Sequence, residues 1–300
     1  MDIRTLRYVA TIARLRSFTR AAEALRVAQP ALSISIKKLE AELGVQLFAR
    51  ESRQVVPTPE GLLLLRRAER IFQELDSAKR ELEDSQHLRS GQVRLGFPPM
   101  YGIYSLPHLL ADFHEAYPGV DVTAMAGSAG EISGMLEHGT IDLAMLEVRR
   151  IRAGWKSVQI GEDEMVLCVA RSHPLAGRKR IKGRELDGLP MAVLDSHFIQ
   201  RELLDDICAR AGVRFRATFQ SNYVPLIFEA ALDGLGAVTL VRSLADADSR
   251  LVPISFEPKQ VLKFNLCWRD DRYLSRANHA FVDFAAAQYK GRERSRRRKA

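Results

Sequence analysis

One stretch, from Ser17 to Gly61, constrains the fold of this 300-residue chain more than any other. Its first apolar residues, in SFTRAAEAL, recur at steps of three and four and predict a helix with one buried face. The hydroxyl of Ser17 is placed to cap that helix, because it stands just before the free amides of the first turn. A second helix is predicted from Gln29-Pro30 to about Leu43, since proline is tolerated in a first turn. The stretch therefore predicts two helices joined by a tight turn.

The second helix has an apolar face and a polar face. The residues expected inside are Leu32, Ile36, Leu39 and Leu43, and those expected outside are Gln29, Ser33, Lys37 and Lys38. Such a helix suits the major groove of DNA, where amides and hydroxyls pair with base edges and lysines hold phosphates. An ordinary helical hairpin is the alternative that this pattern alone leaves open.

A short hairpin is predicted after the second helix. Gly44 is placed to end the helix, and two short strands are expected between Val45 and Pro57. Arg50 and Arg53 lie at the turn between these strands, where they can straddle a phosphate backbone. The hairpin predicts a wing beside the helix pair.

The order of these blocks resembles the amino-terminal winged helix-turn-helix of the LysR-type transcriptional regulators. The blocks are SFTRAAEAL, QPALS, IKKLEAELG, LFAR and TPEG. The resemblance implies binding to double-stranded DNA. The DNA-binding residues that it implies here are Gln29, Pro30, Ser33, Ile34, Lys37, Lys38, Arg50 and Arg53.

Two positions depart from the family pattern. Ala28 stands where a serine commonly precedes the Gln-Pro pair, so the second helix loses a side-chain cap worth about 1 kcal/mol. Ile34 stands where an arginine commonly follows the serine of this helix. An isoleucine there exchanges a guanine or phosphate contact for an apolar one, such as a contact with a thymine methyl group. We expect an altered operator preference rather than a loss of DNA binding.

A long helix with a heptad pattern is predicted from about Thr58 to Gln86. Its apolar positions alternate in steps of four and three, which is the seam of a coiled coil. These dimerisation residues are Leu64, Ala68, Ile71, Leu75, Ala78 and Leu82. Charged residues flank the seam, so we predict a homodimer that reads an inverted-repeat operator. Packing of the seam against its own domain is the alternative.

Beyond Gly91 strand and helix patterns alternate, which predicts parallel strands covered by helices. The phrases SGQVRLGF, FHEAYPGV, GTIDLAM, SHPLA, DGLGAVTL and LCWRDDRYLS resemble the effector-binding domain of the LysR-type family. The resemblance implies two Rossmann-like lobes, similar to type 2 periplasmic-binding proteins. The chain is thus expected to be a multidomain α/β protein. Its parts are a winged helix-turn-helix domain at 1–58, a linker (dimerisation) helix at 59–88 and an effector-binding domain at 89–300, with lobe I at about 91–161 and 267–289, lobe II at about 162–266 and a basic tail at 290–300.

A ligand in such a domain belongs in the crevice at the carboxyl ends of strands, near helix N-termini whose amides favour an anion. Four loops qualify, and the resemblance places effector contacts at the same loops. The effector-binding residues predicted there are Pro99, Met100, Tyr101, Ser128, Ala129, Ser196, His197, Phe198, Asn222 and Tyr223. Their polar and aromatic side chains suit a small organic or aromatic carboxylate. Each of them, taken alone, is more often a cap or a packing residue.

Positive charge is concentrated at the two ends of the chain. Residues 1–57 contain ten Lys and Arg against five Asp and Glu, and residues 290–300 contain seven against one. Residues 90–289 contain 22 against 24, so the body is slightly acidic. This distribution predicts a DNA-binding head on a body that does not bind DNA. The tail has too few apolar residues to fold and is predicted to be disordered, as a phosphate contact or a solubilising end.

The sequence also disfavours several classes of protein. No run approaches the roughly 18 apolar residues of a membrane span, and no signal peptide precedes the first helix. We therefore expect no membrane partner and a cytoplasmic, nucleoid-associated protein. Cys168, Cys208 and Cys267 are far apart and odd in number, which indicates small buried hydrophobes. No metal-ligand spacing, phosphate-binding loop or nucleophile elbow occurs, so we predict no enzyme, no catalytic residue, no metal and no cofactor.

The leading hypothesis is a transcriptional regulator in which a small-molecule effector changes the arrangement of the lobes and so the spacing of the paired winged helices. The effector must bind one arrangement better than the other for this to work. The resemblance also implies homotetramers built from dimers, and RNA polymerase as a further partner. The alternative is a ligand-insensitive DNA-binding protein of the same fold, and a solute-binding protein or an enzyme is disfavoured. The effector, the operator and the sign of regulation are left open.

Overall fold

Three helices and a hairpin begin the chain in the computed structural model, which describes residues 1–51, 54–86 and 91–299. The elements are α1 (Ile3–Leu15), α2 (Phe18–Leu25), α3 (Gln29–Leu43), β1 (Phe48–Glu51), β2 (Gln54–Pro57) and the long helix α4 (Pro59–Gln86). The two strands pair antiparallel. The predicted helix-turn-helix, hairpin and long helix are therefore confirmed. The chain divides into two compact units, Met1–Arg80 and Glu81–Ala300.

Local hydrogen bonds fix the ends of the helix pair. Ser17 Oγ accepts from the amide of Arg20 at 3.3 Å and caps α2, as predicted. Ala28 gives α3 no side-chain cap, also as predicted. Gly44 ends α3 in the left-handed conformation, with a φ of 70° that a glycine adopts without strain.

Thr58 joins the hairpin to α4. Its hydroxyl donates to the carbonyl of Gln46 at 2.7 Å and accepts from the amide of Gly61 at 3.0 Å. A Cβ atom at Gly61 would lie 2.1 Å from the carbonyl oxygen of Leu47, so only a glycine permits this close approach of helix and hairpin. The TPEG block is thus a junction as well as a helix start.

One small core holds the first unit together. Its buried residues are Tyr8, Val9, Ile12, Ala21, Ala22, Leu32, Ile36, Leu39 and Leu47. Leu43, which was expected inside, is 39% exposed because the last turn of α3 extends beyond this core.

The predicted seam of α4 divides into two parts. Leu64 packs against the core of the first unit, and Ala68 has no exposed surface at all. This corrects the prediction for Ala68, because a side chain without accessible surface has none left for a second copy. Farther along, Ile71 and Leu82 are 38% and 68% exposed, so the apolar surface left open belongs to the second half of the seam.

The second unit is built on a mixed sheet, which contains the predicted parallel pairs and adds antiparallel ones. Its first elements are β3 (Gly91–Phe97), α5 (Pro99–Ile103), α6 (Ser105–Ala116), β4 (Val120–Ala126), α7 (Ala129–His138) and β5 (Leu143–Glu147). β3 pairs in parallel with β4 and with β5. These elements form lobe I, and a 3₁₀ turn at Val148–Arg150 follows them.

The rest of the second unit contains lobe II and the return to lobe I. Its elements are β6 (Trp155–Ala170), β7 (Arg180–Lys182), a 3₁₀ turn at Gly183–Leu186, β8 (Pro190–Leu194), α8 (Ile199–Ala211), β9 (Arg216–Ser221), α9 (Val224–Leu232), β10 (Val238–Val241), α10 (Arg242–Asp246), β11 (Leu251–Arg269) and α11 (Arg276–Lys299). The main sheet has the order β10-β6-β11-β5-β3-β4, with β7 beside β11. The parallel pair β8–β9 adjoins β10 through one bridge.

The long strands β6 and β11 connect the lobes. They pair antiparallel along almost their whole length, from Ala170 opposite Leu251 to Trp155 opposite Arg269. The sequence predicted only 165–170 and 262–268 as strands. Residues 155–163 were not predicted as a strand because this part of β6 is polar. Among the described strands it pairs with β11 on one side, and its other side is solvated.

The last helix, α11, packs on lobe I and closes it. The ring centroids of Phe281 and Phe113 lie 4.9 Å apart, which joins α11 to α6. α11 continues to Lys299, so the prediction of a disordered tail from residue 290 is wrong. Arginine and lysine are good helix formers, and a helix nucleated by its buried first half extends at little further cost.

A buried carboxylate ties β6 to its neighbours where the chain passes between the lobes. Glu164 is 6% exposed and accepts from Arg242 Nε at 2.8 Å, while Lys259 Nζ lies 3.2 Å from the same oxygen. Arg242 also donates to Ser255 Oγ at 2.8 Å. Burial acts to raise the pKa of Glu164, but its hydrogen bonds with Arg242, Ser255 and Lys259 outweigh burial and lower the pKa below its ordinary value of 4.5. The cluster sits beside the irregularity in β6–β11 pairing between Ser255 and Gln260.

We predict that Glu164→Gln lowers the free energy of unfolding at pH 7 by about 1–3 kcal/mol, because a charged hydrogen-bond acceptor is lost. A lowered pKa means that the carboxylate stabilises the fold above its ordinary pKa of 4.5 and loses that effect as the pH falls through the lowered value. Denaturant unfolding of both proteins between pH 7 and pH 3 should show the difference shrinking with acid. The exposed Glu257→Gln variant is the control, and an equal loss at all pH values would contradict the role assigned to the charge.

Candidate nucleic-acid interface and ligand cleft

The outer face of α3 carries the residues that the sequence predicted for DNA. Gln29, Pro30, Ile34, Lys37 and Lys38 are exposed, and Ser33 is half-buried. The Gln29 side-chain amide donates to Ser33 Oγ at 2.9 Å, so the first turn presents an ordered amide and hydroxyl. Ile34 is 54% exposed, so its apolar side chain lies on the open face of α3. The face therefore combines hydrogen-bonding groups, one apolar side chain and two cations.

The wing is positioned by a residue that the sequence reading missed. Glu40, on α3, accepts from the amides of Leu47 at 2.8 Å and Phe48 at 3.4 Å. The available signal was an acidic residue next to the apolar face of the helix, beside the buried Leu39. The backbone of Arg50 lies in β1, whereas its side chain and the whole of Arg53 lie outside the described residues.

The predicted ligand loops lie in two pairs at the ends of parallel strands. In lobe I the amide of Gly127 donates to the carbonyl of Phe97 at 3.1 Å, which joins the loops after β4 and β3. In lobe II the amide of Asp195 donates to the carbonyl of Ser221 at 3.2 Å, which joins the loops after β8 and β9. Each lobe thus brings two of the four predicted loops together, as their positions after parallel strands require.

The N-terminus of α7 is occupied by a side chain of its own. Ser128 Oγ accepts from the amide of Glu131, and the Glu131 carboxylate accepts from the amide of Ser128 at 2.8 Å. These hydrogen bonds from Ser128, with a smaller attraction to His197, lower the pKa of Glu131. Ser128 is therefore a helix cap, and an external anion would compete with Glu131 at this helix end.

Asp195, Ser196 and His197 form a polar group on lobe II. His197 Nδ1 lies 2.9 Å from Asp195 Oδ1, and Ser196 Oγ donates to the same oxygen at 3.1 Å. The hydrogen bond with His197, and to a smaller extent the one with Ser196, lowers the pKa of Asp195. Serine and histidine thus share one carboxylate oxygen, whereas a hydrolase triad needs the serine bonded to the histidine. Ser196 and His197 are exposed and open to a ligand.

Met100, in lobe I, contacts two residues of lobe II. Its side chain is 2% exposed, and its sulfur accepts from Gln200 Nε2 at 3.4 Å and from the amide of Val241 at 3.3 Å. Gln200, which the sequence reading missed, is 3% exposed. Its signal was a polar residue on the apolar stripe that continues through Leu203, Leu204 and Ile207. We call the space bounded by Met100 and Glu131 on lobe I and by His197 and Gln200 on lobe II the interlobe cleft.

The remaining predicted ligand residues are placed less favourably. Tyr101 turns away from the interlobe cleft, with its ring centroid 4.1 Å from that of Phe264. Tyr223 is 62% exposed, and Asn222 beside it is exposed as well. Three others serve mainly in packing or at the first positions of helices: Pro99, Ala129 and Phe198.

All three cysteine side chains are buried, and none forms a disulfide with another. Cys168, Cys208 and Cys267 are free cysteines, which confirms the interpretation of small buried hydrophobes. Burial raises the pKa of each thiol, in the case of Cys267 to about 12. Because the thiolate is the reactive form, these cysteines are poor targets for peroxide.

The described residues contain neither a metal-binding cluster nor a membrane-spanning helix. No group of three or more His, Cys, Asp or Glu side chains there is arranged to hold a metal ion. No helix in the same residues is long and apolar enough to cross a membrane.

Comparison with known proteins gives matches to both units. The family model described as "Bacterial regulatory helix-turn-helix protein, lysR family" matches residues 3–62, and "LysR substrate binding domain" matches residues 86–290. The uncharacterized HTH-type transcriptional regulator YwbI of Bacillus subtilis is 32% identical over 287 residues, covering 94% of this chain and 95% of that protein. The hydrogen peroxide-inducible genes activator of Dickeya chrysanthemi is 31% identical over 251 residues, covering 84% and 82%.

Solved structures agree with these matches at the level of fold. CbnR, a LysR family regulator, complexed with its target DNA, has a TM-score of 0.74 at 21% identity, covering 96% of this chain and 99% of that one. A full-length OxyR variant from Pseudomonas aeruginosa has a TM-score of 0.72 at 23% identity, covering 95% and 94%. With both units matched by family models, the chain belongs to the LysR family of bacterial helix-turn-helix transcriptional regulators.

Proposed function

We propose that this regulator reads DNA with the outer face of α3 and responds to a small organic or aromatic carboxylate bound in the interlobe cleft. The observation that carries the effector part is Met100, whose sulfur takes two N–H donors between the lobes. Sulfur is a weak acceptor, so a carboxylate oxygen that displaced it would gain stronger hydrogen bonds from the same donors.

The chemistry of the interlobe cleft fits such a ligand on the lobe II side. His197 and Ser196 are exposed there, and Gln200 supplies a buried amide donor. Phe198, packed against the core, offers an apolar wall for the body of the ligand. On the lobe I side, Glu131 already occupies the N-terminus of α7, which supports an anion site on lobe II instead.

Displacement of Met100 gives the ligand a means to act. Met100 belongs to α5 of lobe I, whereas its two donors belong to lobe II. A ligand that replaces this contact binds an arrangement of the lobes different from the one that Met100 stabilises, and such a difference in affinity is what a switch requires.

A peroxide sensor is the second function that the relatives raise, since several are named hydrogen peroxide-inducible genes activators. The buried, protonated thiols favour the small-molecule effector over a thiol-based response. Our proposal also includes self-association through the exposed second half of the α4 seam, with tetramers built from such dimers. It further includes contact with RNA polymerase and a cytoplasmic location beside the chromosome.

The first test is a footprint of the full-length protein on the DNA upstream of its own gene, at defined salt. Protection of an inverted repeat over two or more helical turns would support a dimeric, sequence-reading regulator. Smeared protection that disappears with moderate salt would instead indicate non-specific phosphate binding.

We predict that Lys37→Ala and Lys38→Ala each weaken binding to operator and unrelated duplex by similar factors, because phosphate contacts carry no sequence information. Each variant should also flatten the dependence of log affinity on log salt concentration by about one unit. Fluorescence anisotropy across a salt series measures both effects. Lys179→Ala, an exposed lysine of the second unit, is the matched control and should leave the slope unchanged.

We predict that Ile34→Ala changes sequence preference instead of overall affinity. Replacing operator thymines one at a time with deoxyuridine removes a single methyl group, which should weaken the unaltered protein at one position by about 1 kcal/mol. The Ile34→Ala variant should lose that sensitivity at the same position. Ile3→Ala, at another exposed isoleucine of the first unit, should keep it. Equal sensitivity in all three proteins would remove Ile34 from the interface.

We predict that His197→Ala weakens the response to a carboxylate effector about tenfold, the loss of one charged hydrogen bond. The measurement is the change in footprint or anisotropy on titration with benzoate, 4-hydroxybenzoate and succinate. His114→Ala, at an exposed histidine on α6, is the control. A carboxylate that acts equally on both variants binds elsewhere, and a footprint unmoved by any carboxylate would favour the ligand-insensitive alternative.

A further inference from the structure

A cavity lies in the second unit, on the lobe I side of the crossing strands. Its volume is about 550 Å³, and it is bounded by α6, α11, the middle of β6 and the first turn of α10. Ligand pockets generally have volumes of roughly 300–1,000 Å³, so this one suits a small molecule. Of the residues predicted for the effector, only Tyr101 lines it. The cavity is separate from the DNA-binding face of α3 and from the interlobe cleft, so neither proposed function uses it.

The floor of the cavity is apolar. It is formed by Leu106, Leu109, Met145 and Ala285. Leu106, Met145 and Ala285 are each 2% exposed, so the floor is part of the packed core and cannot easily collapse into the space. An occupant is therefore expected to have a hydrocarbon body.

Aromatic rings form part of the wall. Tyr101, Tyr104 and Tyr289 all line the cavity. Tyr101 is held by Phe264, and the Tyr104 ring packs edge-on against His108 with centroids 5.5 Å apart. The faces of such rings carry partial negative charge and attract organic cations.

Among the described side chains, the Asp and Glu residues that line the cavity meet no lysine or arginine there. The acidic residues are Asp112, Glu162 and Asp163, in a chain whose net charge is +8. Asp163 accepts from the hydroxyl of Ser243, whereas Glu162 is exposed at the rim. Among the described residues these carboxylates are not gathered closely enough to hold a metal ion. The arrangement favours a cation with an extended apolar body over a metal ion or an anion.

We propose that this cavity binds an organic amine. The protonated amino group would face Asp112 and Glu162, and the hydrocarbon or aromatic body would lie on the apolar floor between the tyrosines. The lining comes from helices of lobe I, from β6 and from Ser243 of α10 in lobe II. An amine here therefore contacts both lobes and biases their arrangement independently of the interlobe cleft.

The test compares three probes of similar shape on the full-length protein by isothermal titration calorimetry. They are 2-phenylethylamine, the neutral 2-phenylethanol and the anionic 3-phenylpropanoate, with tyramine and putrescine as further amines. At least one amine should bind, and the alcohol should bind at least about tenfold more weakly than its amine, because it lacks a charged hydrogen-bond donor. Equal binding of amine and alcohol, or no binding by any amine, would overturn the proposal.

Variants locate the site. Glu162→Gln and Asp112→Asn should each weaken amine binding about tenfold while thermal unfolding stays unchanged, and the control Glu257→Gln should leave binding as it was. His197→Ala should also leave amine binding intact, since it lies in the interlobe cleft. If His197→Ala abolishes amine binding and the cavity variants do not, the amine occupies the interlobe cleft and this assignment is wrong.

Discussion

The antiparallel pairing of β6 with β11 is the interaction on which the second unit depends. The two strands run from one lobe into the other, so each lobe's sheet is built partly from the same pair of strands. Their register shifts between Ser255 and Gln260, and the buried Glu164 with its partners Arg242 and Lys259 lies beside that shift. Any change in the angle between the lobes must be absorbed by this pair. The ionic group thus stands where strand pairing is least regular and where an unpaired charge would be costly.

The one-turn helix α5 lies between the interlobe cleft, which presents hydrogen-bond donors, and the cavity, which is lined by carboxylates. Met100 reaches into the interlobe cleft, where it meets the N–H donors of Gln200 and Val241. Tyr101, the next residue, turns to the cavity surrounded by carboxylates and tyrosines. A cleft that presents donors suits an anion, and a cavity that presents acceptors suits a cation. Because adjacent residues of α5 touch both, a displacement of this short helix at one place alters the walls of the other.

The family relationship narrows the chemistry only in part. Peroxide-responsive relatives share about 30% of the sequence, yet the thiols of this chain lie in strands and a helix of the core, where burial holds them protonated. The shared family therefore does not carry a thiol-based peroxide response over to this chain. The family match establishes a DNA-binding transcriptional regulator, and the proposed effector rests on the loops of the second unit.

The sequence by itself determined the elements whose causes are local. Ser17, Gly44 and Thr58 act through hydrogen bonds or backbone angles within a few residues, so helix ends and the hairpin followed from the pattern. The pairing of the four loops, two in each lobe, also followed from the sequence, because loops after parallel strands meet at one edge of a sheet. Only the tertiary structure decided that β6 and β11 run antiparallel through both lobes, that Ala68 is buried within one chain, that Gln200 meets Met100 and that Tyr101 turns away. These features join residues far apart in the chain, and long-range pairing leaves no periodic trace in the sequence of either partner.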